Sequence, residues 1–425
     1  MNTKFYSYAL GFVLLAGSSY AQEVKPEPLT LDKAIEQALA KSPDLAFSDV
    51  YKARAQGAML SAEARPNPEL SFEMENFAGD GPQDGTDAAE FTYGLNQKFE
   101  LGGKRGKRIA SASSTSAMNQ LQADLVAKTI RRDVTLAYMD AIAAQRKVEL
   151  AEQQITTINN IRKVINRRVE AGREPDVQVT KAQVTLQQAE GAYNQAKVDL
   201  QTARSQLSVM LGGEALPESL ENDSFDSLLP LPVFTPEMVE ELPEVKLALL
   251  NKGRTLAEVN LAKAQAIPDP SLGVGFRQFK ETDSKAFLLS LSVPLPVFDA
   301  NRGGISTAQA EAIEAEVLAE KTKLEKRIEV ERLMAMAKAA RERIEAVRKD
   351  VLPTVEKADQ SLLAGYDKGR FTLLDVLDGR RTIQEAQLQL IDTQLTYHNA
   401  QANLERLIPK PAEQTQPTAS IPGEQ

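Results

Sequence analysis

Two stretches of this 425-residue sequence break a helical run in the same way and continue into alternating residues. The first is RPNPELSFEM at residues 65–74, and the second is IPDPSLGVGF at residues 267–276. In each, Pro-x-Pro ends the helix because proline lacks an amide hydrogen, and it holds the residue before it in an extended conformation. We therefore expect helix-to-strand switches at Pro66, Pro68, Pro268 and Pro270.

The switches are part of an internal duplication. Pro68 and Pro270 stand 202 positions apart, and the pairs Gly172-Arg173 and Gly369-Arg370 stand 197 positions apart. Such self-similarity indicates two copies of one unit, which runs helix–strand–strand–helix–turn–helix. We therefore expect the repeats to cover 22–211 and 239–408, with a Pro- and acid-rich linker at 212–238 and a disordered tail at 409–425.

The N-terminus predicts export. Residues 1–21 carry Lys4, an apolar run and then Ser19-Tyr20-Ala21, as expected for a secretory signal peptide. The sequence has no cysteine, which excludes disulfides, thiolate metal sites and a lipidated N-terminal cysteine. No later segment is apolar for about 18 residues, so a membrane-bound form would have to cross the membrane as β-strands. The net charge of −9 argues against nucleic acid as a partner.

The helical segments carry apolar residues at alternating spacings of four and three. Ile130, Val134, Ala137 and Ala141 follow this rule in the first repeat. In the second repeat the series runs Val330, Leu333, Ala337, Ala340, Ile344, Val347 and Val351. A sustained period of about 3.5 residues is typical of coiled-coil packing. Residues 107–171 contain no Gly or Pro, so this helix could extend over roughly 95 Å at ~1.5 Å per residue.

The strands after the switches alternate apolar and polar residues. Phe72, Tyr93, Phe276 and Leu289 belong to four such strands, the last over residues 287–295, and ~9–11 residues can cross a bilayer when tilted. A soluble sheet with one wet face is the alternative, and the export signal favours the membrane. Polar loops join the strands at one end, and Pro-x-Pro or Gly102-Gly103 leads into helices at the other. Because four strands cannot close a barrel and lipid excludes open edges, two subunits would share eight strands or three would share twelve.

The chain resembles the outer-membrane efflux proteins, the trimeric TolC-like channels. The residues that carry the resemblance are LTLDKAIEQALAKSP at 29–43, both switches, both helical turns and YDKGRFTLLDVLDGRRT at 366–382. The stretch KFELGGKRGKRI at 98–109 is similar to the heavy-metal branch, which serves cobalt–zinc–cadmium and copper–silver resistance pumps. Some members of that branch carry a lipid on an N-terminal cysteine, which this chain lacks.

The resemblance implies a mainly α-helical protein with a membrane β-barrel, a homotrimer whose twelve shared strands contact outer-membrane lipid. Its helices would form a tunnel across the periplasm of a Gram-negative bacterium. The tips near Gly172, Arg173, Gly369 and Arg370 would contact a periplasmic adaptor, which joins a proton-driven inner-membrane pump of the RND type. The implied function is a passive exit duct for heavy-metal cations, with no enzymatic activity and no cofactor. Drug or organic-solute efflux, type I secretion, and a coiled-coil scaffold without a pore stay open as alternatives.

The same resemblance implies a gate at the tip, formed by Tyr366, Arg370, Asp375 and Asp378. Tyr366 and Arg370 would tie neighbouring helices together. Asp375 and Asp378 lie three positions apart on one helix face, so three copies would place six carboxylates around the closed mouth and favour cations. An exposed acidic pair without a role is the alternative.

No constellation of residues indicates catalysis. The single histidine, His398, is expected as a polar residue on a helix surface rather than as a metal ligand, because no cysteine or second histidine accompanies it. Four basic residues begin a helix at the membrane edge, namely Lys104, Arg105, Lys107 and Arg108. They are expected either to be solvated or to contact anionic lipid head groups.

Overall fold

In the computed structural model, which describes residues 28–217 and 219–408, both repeats run helix–strand–strand–helix–turn–helix; the first has one more helix at its start, and the long helix of the second is divided in two. The first repeat comprises α1 (Leu31–Lys41), α2 (Leu45–Glu63), β1 (Glu69–Glu75), β2 (Glu90–Lys98), α3 (Lys104–Glu170) and α4 (Val177–Met210). The second comprises α6 (Pro243–Gln265), β3 (Ser271–Phe279), β4 (Ser284–Ser292), α7 (Arg302–Ala346), α8 (Leu352–Asp367) and α9 (Leu373–Leu407). Helix α5 (Asp223–Asp226) lies between the repeats. The predicted signal peptide and C-terminal tail lie outside the described residues.

The four strands form one antiparallel sheet in the order β1-β2-β3-β4, so β1 and β4 are its edges. The register confirms the predicted apolar face, because one row across the sheet consists of Phe72, Tyr93, Phe276 and Phe287. The ring centroids of Phe72 and Tyr93 are 5.2 Å apart, and those of Tyr93 and Phe276 are 4.9 Å apart. Strand β4 begins before Phe287 and stops at Ser292 rather than at residue 295, because Pro294 cannot donate to a ladder.

The opposite face of the sheet is polar. Arg277 on β3 forms ion pairs of 2.7 Å with Glu75 on β1 and Glu90 on β2. Its Nε also donates to the hydroxyl of Thr92 at 2.9 Å. One guanidinium thus joins three strands on this face, while the apolar row occupies the other.

The helices pack side by side in two tiers below the sheet. The upper tier has the order α2–α3–α6–α7, and in the lower tier α3 contacts α4 on one side and α9 on the other. Helix α3 runs through both tiers, since its 67 residues reach roughly 100 Å at ~1.5 Å per residue. Four residues of the predicted seam, namely Val134, Ala141, Ala337 and Ile344, are all buried. None of the described helices is long and apolar enough to cross a membrane.

The long helix of the second repeat contains a π-helical turn at Val347–Val351, between α7 and α8. A proline inside an α-helix clashes with the carbonyl four residues earlier, and Pro353 follows this turn, so the wider turn relieves the clash. The seam prediction was wrong at Val351, which is 39% exposed. Leu352 is less exposed and takes that position instead.

The segment between the repeats packs into the protein at mid-height. Phe225 is buried, and its carbonyl lies 2.8 Å from Nε2 of His398 and 3.1 Å from the amide nitrogen of Gln394. The neighbouring Asp226 forms ion pairs with Arg146 at 2.5 Å and Arg348 at 3.2 Å. The expectation that His398 lies on a helix surface was therefore wrong, because the inter-repeat segment covers it. Burial lowers the pKa of His398, so the imidazole is neutral at neutral pH.

Candidate functional site

The two helical turns at the tip close in the same way. In each turn the residue that follows the helix cap is a glycine, and Gly172 and Gly369 have positive φ values of 68° and 72°. The next amide, of Arg173 or Arg370, donates to the carbonyl five residues earlier at 2.8 Å in both turns. Glycine suits this position because left-handed backbone is strained for a residue with a side chain. The arginine side chains are exposed at both tips.

One arginine connects the two hairpins at the tip. Arg168, in the last turn of α3, donates from Nη1 to the carbonyl of Tyr366 on α8 at 2.6 Å. Its guanidinium carbon lies 4.6 Å from the centroid of the Tyr366 ring, and its Nη2 lies 3.4 Å from Glu174. We call Arg168, Glu174 and Tyr366 the tip latch. The positive charge of Arg168 is attracted both to the electron-rich face of the Tyr366 ring and to the negative C-terminal end of helix α8.

Tyr366 is only 2% exposed, so it lies within its own subunit's tip. Burial and the charge of Glu174 raise the pKa of its phenol, while Arg168 opposes them. The gate prediction for Tyr366 stays a prediction, but the contact that the structure gives it is with Arg168 rather than with Arg370.

The two tips differ in how the same pair of positions is filled. The 197-residue offset relates Arg168 to Gly365 and Glu174 to Phe371. The first repeat joins its pair by an ion pair, whereas in the second the Phe371 ring lies over Gly365. A Cβ added to Gly365 would stand 2.2 Å from Cδ2 of Phe371, which leaves no room for a larger residue. The duplicated tip therefore has one charged half and one apolar half.

The predicted gate aspartates have different surroundings. Asp375 closes the start of α9, since its Oδ2 accepts from the amide of Thr372 at 2.7 Å and its own amide donates to the Thr372 hydroxyl at 3.3 Å. The Thr372 hydroxyl also donates to Oδ2, and the hydrogen bonds from this hydroxyl and from the Thr372 amide lower the pKa of Asp375. This is a capping box, and the Thr-x-x-Asp spacing that forms it was visible in the sequence. Asp378 is exposed one turn further on, and the assignment of both carboxylates to a gate stays a prediction.

A polar layer separates α3 from the α8–α9 hairpin just above the tip. Asp359 on α8 is buried and forms an ion pair of 2.9 Å with Arg380 on α9. Burial raises the pKa of Asp359, and the charge of Arg380 opposes the shift. A cavity of about 380 Å³ lies beside this pair, and its lining includes Gln153, Gln360 and Gln384. Sequence reasoning missed this layer because the residues come from three separated segments.

At the other end of the helices, a buried ion pair joins the two repeats where strands meet helices. Nζ of Lys104 lies 2.6 Å from Oδ1 of Asp269 and 2.6 Å from the carbonyl of Ile267. The same Asp269 oxygen accepts from the amide of Leu101 at 2.9 Å. Both expectations for Lys104 were wrong, because its side chain is 9% exposed and meets neither solvent nor lipid.

Two more of the basic residues bind the end of α2. Nε of Arg105 donates to the carbonyl of Glu63 at 2.8 Å, and Nη2 of Arg108 donates to the carbonyl of Ala64 at 3.0 Å. Arg108 also forms an ion pair with Glu100. Cations at the C-terminal end of a helix satisfy its last carbonyls and oppose its dipole. Lys104, Arg105 and Arg108 thus stabilise the turns from helix to strand.

The prolines and glycines of the switch lie between helices and strands. Helix α2 ends before Pro66, and helix α6 ends before Pro268. Gly102 and Gly103 have positive φ values of 69° and 68°. A Cβ on Gly102 would stand 2.7 Å from Cδ1 of Ile267, so this chain crossing also requires a residue without a side chain.

The sequence matches the family model described as outer membrane efflux protein over residues 34–213 and 236–409. The chain belongs to the outer membrane efflux protein family. As an outer membrane efflux protein, it is located in the outer membrane of Gram-negative bacteria, with its helical part in the periplasm.

Three relatives of this efflux protein are named for metal resistance or for pyoverdine export. It is 29% identical to the cobalt-zinc-cadmium resistance protein CzcC of Cupriavidus metallidurans, over 90% of each chain. It is 27% identical to the nickel-cobalt-cadmium resistance protein NccC of Alcaligenes xylosoxydans, over 74% of this chain and 70% of the relative. It is 25% identical to the pyoverdine export outer membrane protein OpmQ of Pseudomonas putida, over 88% of this chain and 84% of the relative.

Solved structures share the fold. The crystal structure of CusC superimposes with a TM-score of 0.77 at 18% identity, over 88% of this efflux protein and 90% of that chain. The outer membrane protein VceC of Vibrio cholerae gives a TM-score of 0.74 at 20% identity, over 88% and 94%. The duplicated helix and strand order is therefore common to the efflux protein and these structures.

Proposed function

We propose that this protein is the outer-membrane exit duct of a tripartite efflux system and that it passively conducts heavy-metal cations from the periplasm to the exterior. The observation that carries the proposal is the placement of its two ends. A sheet with an exposed apolar face stands at one end of α3, and two hairpin tips stand at the other. The helix between them has a length of roughly 100 Å, which suits a duct between two membranes.

The duct would be a homotrimer. Strands β1 and β4 are unpaired edges within the described chain, and lipid excludes such edges. Three copies joined edge to edge would share a barrel of twelve strands, within the known range for outer-membrane barrels. The helical tiers would continue this ring below the membrane and enclose the lumen.

The partners would be a periplasmic adaptor and a proton-driven inner-membrane pump of the RND type. The two Gly-Arg turns support this proposal, because they present exposed arginines at the end of the helices that points away from the sheet. The gate would lie at the same end. The tip latch would hold the second hairpin against the first, and opening the mouth would separate Arg168 from Tyr366.

Metal cations are proposed as the substrate because CzcC and NccC, two relatives that match most of this chain, are named for metal resistance. Deleting the gene should therefore lower tolerance to cobalt, zinc, cadmium or nickel, measured as minimal inhibitory concentrations. Tolerance to detergents and antibiotics should change less, and the intact gene on a plasmid should restore metal tolerance. Sensitivity to organic compounds alone would assign the duct to organic solutes, the class that the match to OpmQ favours.

The gate proposal predicts that one substitution at the tip changes the block by a multivalent cation and that another changes the conductance. The purified trimer in a planar bilayer should be selective for cations and blocked by a multivalent cation added from the periplasmic side. Asp378→Asn should weaken that block roughly tenfold, because a lost interaction of about 1.4 kcal/mol changes a binding constant by that factor. Arg168→Ala should raise conductance without weakening the block, since it opens the latch and leaves the carboxylates in place.

Thr372→Ala is the matched control for the gate experiment. It removes the hydroxyl that caps α9 and leaves both carboxylates in place, so it tests whether capping alone affects the pore. An unchanged block in Asp378→Asn together with Asp375→Asn would show that the aspartates are surface charges. An unchanged conductance in Arg168→Ala would remove the latch from the gate.

A further inference from the structure

The π-helical turn between α7 and α8 changes the phase of the long helix. The amide of Leu352 donates to the carbonyl of Val347, five residues earlier, which is the hydrogen bond of a π-helix. Above the turn the inner positions recur every seven residues, as at Ala337 and Ile344. The turn holds one residue more than an α-helical turn, so the inner positions continue at Leu352 and Asp359. Single π-turns inside α-helices are frequent at functional sites.

The sequence also fits an uninterrupted α-helix through the same point. Counted from Ile344 at intervals of seven, its inner positions would be Val351, Ala358 and Gly365. In the structure Val351 is 39% exposed and Ala358 is exposed as well, while Gly365 is buried under the ring of Phe371. Two apolar side chains at core spacing therefore lie outside the core. Helix α8 carries two sets of inner residues, one position apart, and we call the two phases its helical registers.

Helix α8 has space in which to turn about its own axis. The cavity of about 380 Å³ above the tip separates α8 from α3, and Asp359, Gln360 and Leu363 of α8 line it. The facing side chains of α3 and α9 are largely polar and include Gln153 and Gln384. A polar cavity of this size accommodates water. Rotation of α8 would therefore displace water on this side rather than closely packed apolar side chains.

A change of register would remove two contacts at once. If the turn became α-helical, α8 would rotate by ~100° and each of its residues would take the place of the next. Ala358 would then replace Asp359 beside Arg380, and the ion pair of 2.9 Å would be lost. Gly365 would replace Tyr366, and the tip latch would lose its aromatic ring. One rotation would thus separate α8 from α9 and from the end of α3 together.

A proline selects the register that the structure shows. Pro353 has no amide hydrogen, and inside a continuous α-helix its ring would clash with the carbonyl of Lys349, four residues earlier. The π-turn avoids that clash. Within the turn, Arg348 donates to the carbonyl and to Oδ1 of Asp226, both at 3.2 Å, so the turn is also held by α5.

We propose that α8 is a rotary switch with two helical registers and that the change between them opens the mouth of the duct. With the π-turn present, Asp359 and Tyr366 face inward and the tip latch is closed. Without it, α8 has rotated by ~100° and the latch is released. The inference rests on the proposed function and states how its gate is regulated. Because one rotation changes both contacts, the gate has two states rather than a continuous range of openings.

Paired cysteines report the register, and the natural chain contains none that could interfere. A Cβ on Gly379 would stand 2.6 Å from Cδ1 of Leu362, so Leu362→Cys with Gly379→Cys should form a disulfide in the observed register. Ser361→Cys with Gly379→Cys should form one in the second register, where residue 361 takes the place of 362. Leu362→Ala accompanies this second pair to make room for the new side chain. The purified trimer is treated with a mild oxidant, and the remaining thiols are counted by maleimide mass-tagging.

Pro353→Ala removes the clash that disfavours the second register. It should raise the rate of the 361–379 disulfide at least ~tenfold, and it should raise the conductance of the trimer in a planar bilayer. Oxidising the 362–379 pair in the Pro353→Ala protein should return the conductance to the wild-type value, and a reductant should raise it again. Pro236→Ala, at the exposed start of the short helix Pro236–Glu241, is the matched control and should change neither quantity.

Two results would overturn the switch and leave the duct standing. The first is a 361–379 disulfide that forms equally fast with and without Pro353→Ala, which would mean that α8 has one register. The second is faster cross-linking with an unchanged conductance, which would mean that rotation of α8 does not open the mouth. A wild-type trimer that conducts no ions would overturn the proposed duct, and the thiol counts would still distinguish one register from two.

Discussion

Asp269→Ala is expected to remove most of the protein from the outer membrane. The substitution leaves the ammonium of Lys104 buried without its carboxylate, and the amide of Leu101 loses its acceptor. Breaking a buried ion pair by removing one partner costs about 3–5 kcal/mol. Because Asp269 precedes β3 and Lys104 begins α3, loss of the ion pair weakens the contact between the two repeats. Quantitative blotting of outer-membrane fractions and thermal melting of the purified protein would measure the effect.

The double variant Lys104→Met with Asp269→Leu is the control for that prediction. Replacing both charges by apolar groups of similar size is often neutral for stability, so this variant should assemble almost as the wild type does. If Asp269→Ala and the double variant accumulate equally, the charge left behind is not what destabilises the single variant.

Asp269 also predicts a dependence on acidity. Burial alone would raise its pKa, but hydrogen bonds from Lys104 and the Leu101 amide, with the charges of Lys104 and Lys98, lower it below the usual value. A carboxyl whose pKa is depressed by folding stabilises the fold above its unfolded pKa of about 3.9 and loses that contribution as the pH falls. The wild type should therefore lose stability relative to the double variant below about pH 4, because the variant has no carboxyl at residue 269 to protonate.

Leu289→Arg is expected to reduce the trimer in outer membranes. Leu289 is 77% exposed on the apolar face of β4 and pairs with Val274 of β3. An arginine on the lipid face costs about 2–4 kcal/mol near the middle of the bilayer. Heat-modifiable migration on gels would measure the assembled fraction.

Ser290→Arg gives the matched comparison, since adjacent strand residues point to opposite faces. Ser290 pairs with Gly273 on the polar face, where Arg277 already shows that a guanidinium is accepted. The effect there should be milder. Equal tolerance at residues 289 and 290 would argue against a membrane location of this sheet.

The features that the sequence predicted are those that depend on near neighbours. The alternation around Phe72 and Leu289 and the seam at Val134 and Ala337 follow from side-chain direction along a strand or a helix, which three or four residues determine. The Gly-Arg turns were predictable for the same reason. The cap formed by Thr372 and Asp375 was not predicted, although it also depends on near neighbours and the Thr-x-x-Asp spacing indicates it.

The features that were missed join distant parts of the chain. Lys104 meets Asp269, 165 positions later, and Arg168 meets Tyr366, 198 positions later. A basic residue in the last turn of a helix suggests a carbonyl partner, but it does not say which helix supplies it. His398 was misplaced because a segment 173 positions earlier covers it. Such pairs can be identified only when the three-dimensional arrangement of the two repeats is known.

The π-helical turn above the tip decides which residues of α8 face the protein. Above it the seam follows Val330, Ala337 and Ile344, at intervals of seven. The same count continued would place residues 351 and 358 on the inner side, but one surplus residue shifts the phase to Leu352 and Asp359, and Tyr366 follows seven residues later. The π-helical turn thus determines that Asp359 contacts Arg380 and that Tyr366 contacts Arg168. Gaining or losing one residue there would rotate the whole tip by ~100° and replace its inner side chains at once.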